Sequence, residues 1–199
     1  ILLFVFCLNT YGQEKEITQN EYFKAHADAI KKQYSYNRRV TAKEENFTLD
    51  KTKTTILEVI LPDKQRNLTI QTQNGISTRT ETIIIGEILY RRVNDGEWTK
   101  NELSGNGNGI GFGDGFSNDT KFRYTVIADT LNNQSVQRFE ESIINKYFSD
   151  KKRIWISTEG LILKSEETTE EIKPKKLLTR TVIEYEYNPQ DLKIEAPIK

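Results

Sequence analysis

Residues 121–131, KFRYTVIADTL, and 177–187, LLTRTVIEYEY, alternate apolar or aromatic side chains with polar ones along their length. Successive side chains of a strand point to opposite faces of a sheet. Phe122, Tyr124, Val126 and Ala128 therefore share one face, while Arg123, Thr125 and Asp129 share the other. In the second stretch Thr179, Thr181, Ile183, Tyr185 and Tyr187 stand against Leu178, Arg180, Val182, Glu184 and Glu186. This period of two predicts strands with one apolar face and one wet face. Similar runs rich in Thr, Ile, Val and aromatics lie at residues 55–61, 67–73, 77–86, 87–93, 153–157 and 161–167. Between the runs, Pro62-Asp63, Gln73-Asn74-Gly75, Asn94-Asp95-Gly96, Asn132-Asn133 and Thr158-Glu159-Gly160 fit hairpin turns. A meandering antiparallel sheet is expected, with no parallel βαβ rhythm.

One helix precedes these strands. From Thr18 the sequence TQNEYFKAHADAIKKQY places Tyr22 or Phe23, His26 or Ala27, Ile30 and Tyr34 at helical spacing, with Lys24, Asp28, Lys31 and Lys32 off that stripe. Thr18 and Glu21 form a Ser/Thr-x-x-Glu capping box that marks its start. The fold class is α+β, mainly β. A sheet of about eight or more strands has more apolar surface than one helix can cover if it curls, so it either closes on its own side chains or keeps a cavity. Counting residues leaves both open.

The 199 residues carry 29 basic and 29 acidic side chains, which disfavours a nucleic-acid module. With 36% hydrophobic residues the chain is too apolar to be wholly disordered. Residues 1–8, ILLFVFCL, are too short an apolar run to cross a bilayer and lead into small residues at Thr10 and Gly12. They read as the remnant of a signal peptide over residues 1–12, with cleavage after Gly12 and a single domain over residues 13–199. A buried N-terminal strand is the competing reading. Lipidation at Cys7 would anchor the chain to a membrane, although Phe6 stands where that processing prefers a small residue. Loss of Cys7 with the signal would leave no thiol, disulfide or Cys metal site.

Residues 104–118, SGNGNGIGFGDGFSN, hold six of the eleven glycines and predict a flexible loop. A phosphate loop needs a following helix, and a calcium repeat needs stacked copies with more carboxylates than Asp114. A gate at the edge of a cavity, with Ile110, Phe112 and Phe116 as its apolar contacts, is the functional alternative. The charged run at residues 164–176, KSEETTEEIKPKK, reads as a solvated hairpin tip or an electrostatic docking site. Catalytic chemistry is thinly represented. The single histidine, His26, sits on the helix and reads as a packed residue, and no Ser-His-Asp set or metal cluster emerges. Glu184 and Glu186 share a strand's wet face rather than flanking a cleft. Trp98 and Trp155 are read as core, with pocket lining as the alternative. No cofactor, metal or catalytic residue is expected.

Two stretches carry a family resemblance. The first is Glu81-Thr82-Ile83-Ile84-Ile85-Gly86 with Tyr90-Arg91-Arg92 and Asp95-Gly96-Glu97-Trp98-Thr99-Lys100. The second is Arg153-Ile154-Trp155-Ile156-Ser157 with Gly160-Leu161-Ile162-Leu163-Lys164-Ser165-Glu166, closing on Tyr185-Glu186-Tyr187-Asn188 and Ile194-Glu195-Ala196-Pro197. Together they resemble the periplasmic lipoprotein-carrier superfamily, which includes the Lol-type carriers and the mycobacterial lipid-binding lipoproteins. The resemblance implies a strongly curved, incomplete antiparallel barrel with the N-terminal helix on its concave side and a lipid or other hydrophobic ligand inside. It hands over no functional residues.

The expected cavity wall is Phe122, Tyr124, Val126 and Ala128 with Ile154, Ile156, Leu161 and Leu163 on neighbouring strands, closed by Phe23, Ile30 and Tyr34 of the helix. The expected function is a non-catalytic, monomeric cell-envelope protein, periplasmic or exported, that binds or carries a hydrophobic small molecule or lipid. A protein-binding or sensory envelope domain, with an envelope protein as its partner, is the alternative, and a carboxylate hydrolase a third class.

Overall fold

The computed structural model describes residues 12–103 and 120–198. Cys7 and the other residues before Gly12, expected to be a signal remnant, and Ile110, Phe112 and Phe116, expected as a gate, lie outside the described residues. Helix α1 (Gln19–Gln33) follows the short strand β1 (Lys15–Glu16). Then come β2 (Arg38–Asn46), β3 (Lys51–Ile60), β4 (Lys64–Gln73), β5 (Ile76–Ile85), β6 (Ile88–Val93) and β7 (Thr99–Glu102). The chain continues through β8 (Lys121–Leu131), β9 (Gln134–Ile144), β10 (Phe148–Ser157), β11 (Ile162–Ile172) and β12 (Lys175–Tyr187). All pair antiparallel in one open sheet of order β1-β8-β9-β10-β11-β12-β2-β3-β4-β5-β6-β7. Two meanders are thus joined by the pairing of β12 with β2, in which Ile183 faces Ala42 and Tyr185 faces Val40, and β1 pairs with the distant β8 at the edge.

The turns behave as their residues require. Asn74 and Gly75, Asn94 and Asp95, and Asn132 and Asn133 all have positive φ, the backbone of a tight hairpin turn. At the helix start the Thr18 side chain accepts from the Glu21 backbone N–H while the Glu21 carboxylate accepts from the Thr18 N–H at 2.7 Å. Lys31 and Lys32 in the last turn complement the helix dipole.

Tyr22 and Ala29 of α1 are buried with Tyr124 of β8, Ile154 and Ile156 of β10 and Ile162 of β11; Ile17, Ile30, Phe139 and Tyr185 pack around them. This one helix, about 10–12 Å across, packs with residues of five adjacent strands that laid flat would span about 19 Å. The sheet curls about α1, which lies on the concave side.

The opposite face is held by charge and by a second, smaller cluster. Arg39 of β2 donates to Glu58 of β3, Arg66 of β4 reaches both Glu58 and Glu81, and Arg92 of β6 closes on Glu81 at 2.7 Å. Ile83, Tyr90 and Ile194 are buried beside this ladder, with Ile60, Ile85, Ile88 and Trp98 against them. Ile194 brings the segment after β12 onto the back of β5 and β6, and Asp191 in that segment pairs with Arg39 at 3.0 Å. Burial would push the Glu81 carboxyl up, but hydrogen bonds from Arg92 and Arg66 outweigh it and hold it below the ordinary carboxylate range.

Glu81→Gln is therefore expected to cost about 2 kcal/mol. Breaking a buried ion pair costs about 3–5 kcal/mol, and the partly exposed arginines reduce it. Thermal unfolding checks this as a Tm drop of roughly 4–8 °C at neutral pH. Because the folded carboxyl is depressed, this contribution is present above the unfolded value of 4.5 and fades as pH falls through the lower folded one. An unchanged Tm would remove Glu81 from the account.

Several sequence expectations need correction. β1, β2, β7 and β9 have no counterpart among the expected strands, and β10 begins five residues earlier than its apolar run; charged pairs occupy the faces of β2, β9 and β10. Arg153 meets Glu140 across β9 and β10 at 2.7 Å. The run at residues 164–176 is mostly the paired arms of β11 and β12, with only Lys173 and Pro174 between the strands. Glu166 within it pairs with Arg180 at 2.8 Å.

Candidate functional site: a groove under the helix

Helix α1 does not seal the sheet along its whole length. A 530 Å³ groove opens between its C-terminal half and the ends of β9 and β10. Its floor is apolar: Ala29, Phe139 and Ile156, with Ala25 on the helix wall. Its rim is polar, formed by Asp28 and Lys32 of α1 and by Ser135, Gln137, Ser157 and Thr158. Gly160, at φ +79°, turns the chain back into β11 beside the Lys32 stem, and Lys32 donates to the Glu159 carbonyl. The groove volume falls within the roughly 300–1,000 Å³ typical of small-molecule sites.

Below the groove the concave face turns polar. Tyr124, Glu141, Lys152 and Glu167 follow one another in register across β8, β9, β10 and β11. A smaller space of 140 Å³ there is lined by His26, Lys152, Ile154, Ile162, Ser165, Glu167 and Tyr185 among others. Burial pushes the Glu141 carboxyl up, with Lys152 opposing, whereas burial and then Lys152 hold the His26 imidazole below its ordinary value. The apolar stretch is thus bounded by a charged row, and Tyr22 lies buried where α1 crosses β8, its ring centroid 5.2 Å from that of Tyr124.

The sign of the His26 effect fixes a pH dependence. Its folded pKa is depressed, so its contribution is complete above the ordinary value of 6.5 and is lost as pH falls through the folded value. Glu141 acts oppositely: its contribution is complete below 4.5 and is lost as pH rises through the raised value. His26→Gln is expected to flatten the fall in Tm just below pH 6.5, measured by thermal melts across that window. Parallel curves for the two proteins would show that His26 carries no such linkage.

The residues expected to form the wall divide between several environments. Ile156 lines the groove, Ile154 and Tyr124 are buried beneath α1, and Ile30 packs against that core. Phe23 and Tyr34 are 46% and 60% exposed and do not close the site, because the helix turns Tyr22, Ala25, His26 and Ala29 inward instead. Tyr34 carries the Arg38 guanidinium over its ring at 5.1 Å. Phe122 is also largely exposed, Val126 is half-buried, and Ala128 is exposed but lies against the Gly12 backbone. Leu161 is buried and Leu163 half-buried, yet Ile162 is the residue that joins the core under α1. A register shift between Trp155 and Ile156, which pair with Lys164 and Ile162, leaves Leu163 as the extra residue and changes the face that simple alternation assigns.

Neither tryptophan lines the groove. The Trp155 indole donates to Asp129 at 3.1 Å and lies under Lys164 on the opposite face, while Trp98 packs in the back cluster with Arg92 above its ring. Alternation had pointed to neither Ala25 nor the β9 residues of the groove. Among the described residues no cluster of His, Cys, Asp or Glu has the makings of a metal site, and no helix is long and apolar enough to cross a membrane.

No protein-family model matches the chain. No curated protein matches it either. Among solved structures, a LolA superfamily protein from Nitrosomonas europaea is similar to 89% of this chain and 96% of its own, at 12% identity and a TM-score of 0.30.

Proposed function

We propose that this chain is a non-catalytic carrier or receptor for a small amphiphile, held in the groove between α1, β9 and β10. The observation that carries the reading is the pairing of an apolar floor, Ala29, Phe139 and Ile156, with a polar rim at Asp28, Lys32, Ser135 and Thr158. An acyl or other hydrophobic tail gains about 25 cal/mol for each Å² it buries on such a floor. The rim groups meet its polar end without requiring a reaction. Of the wall expected from sequence, Ile156 touches this ligand, while Ile154 and Tyr124 support the floor from below. The apolar run at residues 1–8 is consistent with export, and export to the cell envelope and a monomeric state are part of the proposal.

A protein-binding or sensory envelope domain is the second reading. It is favoured by the Glu141, Lys152 and Glu167 row, which ends the apolar floor before it becomes a channel for several long chains. Native mass spectrometry and solvent extraction of protein purified from its own host distinguish the two. A stoichiometric co-purified amphiphile supports the carrier, and a ligand-free chain that takes up no fatty acid supports the second reading.

A further inference from the structure

The hairpin tips at the two ends of the sheet differ in kind. Four tips lie at one end, taken with the strand residues that flank them: 47–50 between β2 and β3, 74–75 between β4 and β5, 145–147 between β9 and β10, and 173–174 between β11 and β12. The register puts them at the same end, with Lys51 facing both Asn46 and Gln73 and Phe148 facing Glu171, while the β11–β12 hairpin runs on past the Asn46–Thr179 pair. These tips expose Phe47, Leu49, Ile76, Tyr147 and Phe148, with Ile76 74% and Tyr147 61% accessible. At the opposite end, the turns at residues 61–63, 86–87, 132–133 and 158–160 expose one large apolar side chain, Leu61, with Leu103 exposed beside Glu87. Paired strands are about 4.8 Å apart, so the four tips form a row roughly 30 Å long.

Charge follows the same asymmetry. The four tips hold Lys51, Lys146, Lys173, Lys175 and Lys176 against Asp50 and against Glu171, which faces Lys176, while Glu170 in the row behind lies 3.9 Å from Lys175. Lys146 lies over the Tyr147 ring at 5.3 Å, an apolar body with a cationic head. Protein partners reward a compact patch with a buried centre, whereas spaced aromatic and aliphatic tips flanked by lysines suit a broad, soft, anionic surface. We propose that this end of the sheet docks on the surface of an anionic lipid bilayer, the apolar tips entering the headgroup region and the lysines meeting lipid phosphates. The proposal stands apart from the groove, and either holds if the other fails.

The test is sedimentation of the full chain with vesicles of phosphatidylglycerol and phosphatidylcholine, compared with phosphatidylcholine alone. At least tenfold stronger partition onto the anionic vesicles is expected, weakening with added salt. The variant combining L49S, Y147S and F148S changes exposed side chains only and is expected to lose at least tenfold in partition while keeping its Tm. Lys173→Ala and Lys175→Ala together are expected to lose about 25-fold, since each lysine near such a surface is worth about fivefold. Leu61→Ser, at the other end, is the control and is expected to change nothing. Absence of partition, or equal loss from Leu61→Ser, would overturn the proposal. So would tip variants that dissolve a concentration-dependent dimer without altering vesicle binding, which would make the tips a contact between copies of this chain.

Discussion

Ile154→Ala is expected to destabilise the fold by about 2–5 kcal/mol, the range for deleting buried aliphatic groups where neighbours relax only partly. Ile154 is 1% exposed, under α1 and midway between the groove and the polar row, so its loss opens a void that both elements border. The sheet on either side is pinned by its ladders, which limits collapse into that void. Chemical denaturation measures the change as a shift of midpoint at unchanged slope. Because Ile154 supports α1 from below, the same variant is expected to weaken ligand uptake through loss of the helix position. A loss below 1 kcal/mol would mean that α1 is not held by this cluster.

Ala25→Trp is expected to abolish most binding while leaving the fold intact. Ala25 is half-buried on the groove wall, and a Trp there fills space that a tail would occupy. If half of a ~200 Å² apolar contact is displaced, about 2.5 kcal/mol is lost, roughly sixtyfold in Kd. The helix-propensity cost of the same change is below about 1 kcal/mol. Ala27→Trp on the exposed side of α1 repeats the chemistry without entering the groove, and is expected to leave binding unchanged.

The helix, its cap and the antiparallel sheet were legible because they rest on local rules. Thr18 and Glu21 announce the cap, and Asn-Gly and Asn-Asn announce hairpin turns. The two long strands that sequence reasoning missed, β2 with RRVTAKEEN and β9 with QSVQRFEESII, place charge on a face where apolar periodicity is the signal sought. Their charged residues pair across strands instead, Arg39 of β2 with the distant Glu186 and Glu140 of β9 with Arg153 of the adjoining β10. The candidate site was only partly readable for the same reason. Ile154 and Ile156 follow from alternation, but Ile162 depends on a register shift that no single strand records. The choice of Tyr22 and Ala29 over Phe23 and Tyr34 depends on how α1 is rotated against the sheet. Ala25 and Ser135, small or polar, carry no hydrophobic signal and matter only because α1 and β9 diverge there.

An amphiphile in the groove would bind saturably at one site. Calorimetric titration of the full chain with a long-chain fatty acid below its micellar concentration tests it most directly, run at several temperatures and on both Ala25→Trp and Ala27→Trp. The account predicts saturable binding at one site with a negative heat-capacity change, lost in Ala25→Trp and retained in Ala27→Trp. Absence of saturation in the unmodified chain, or equal binding by the two variants, would contradict it.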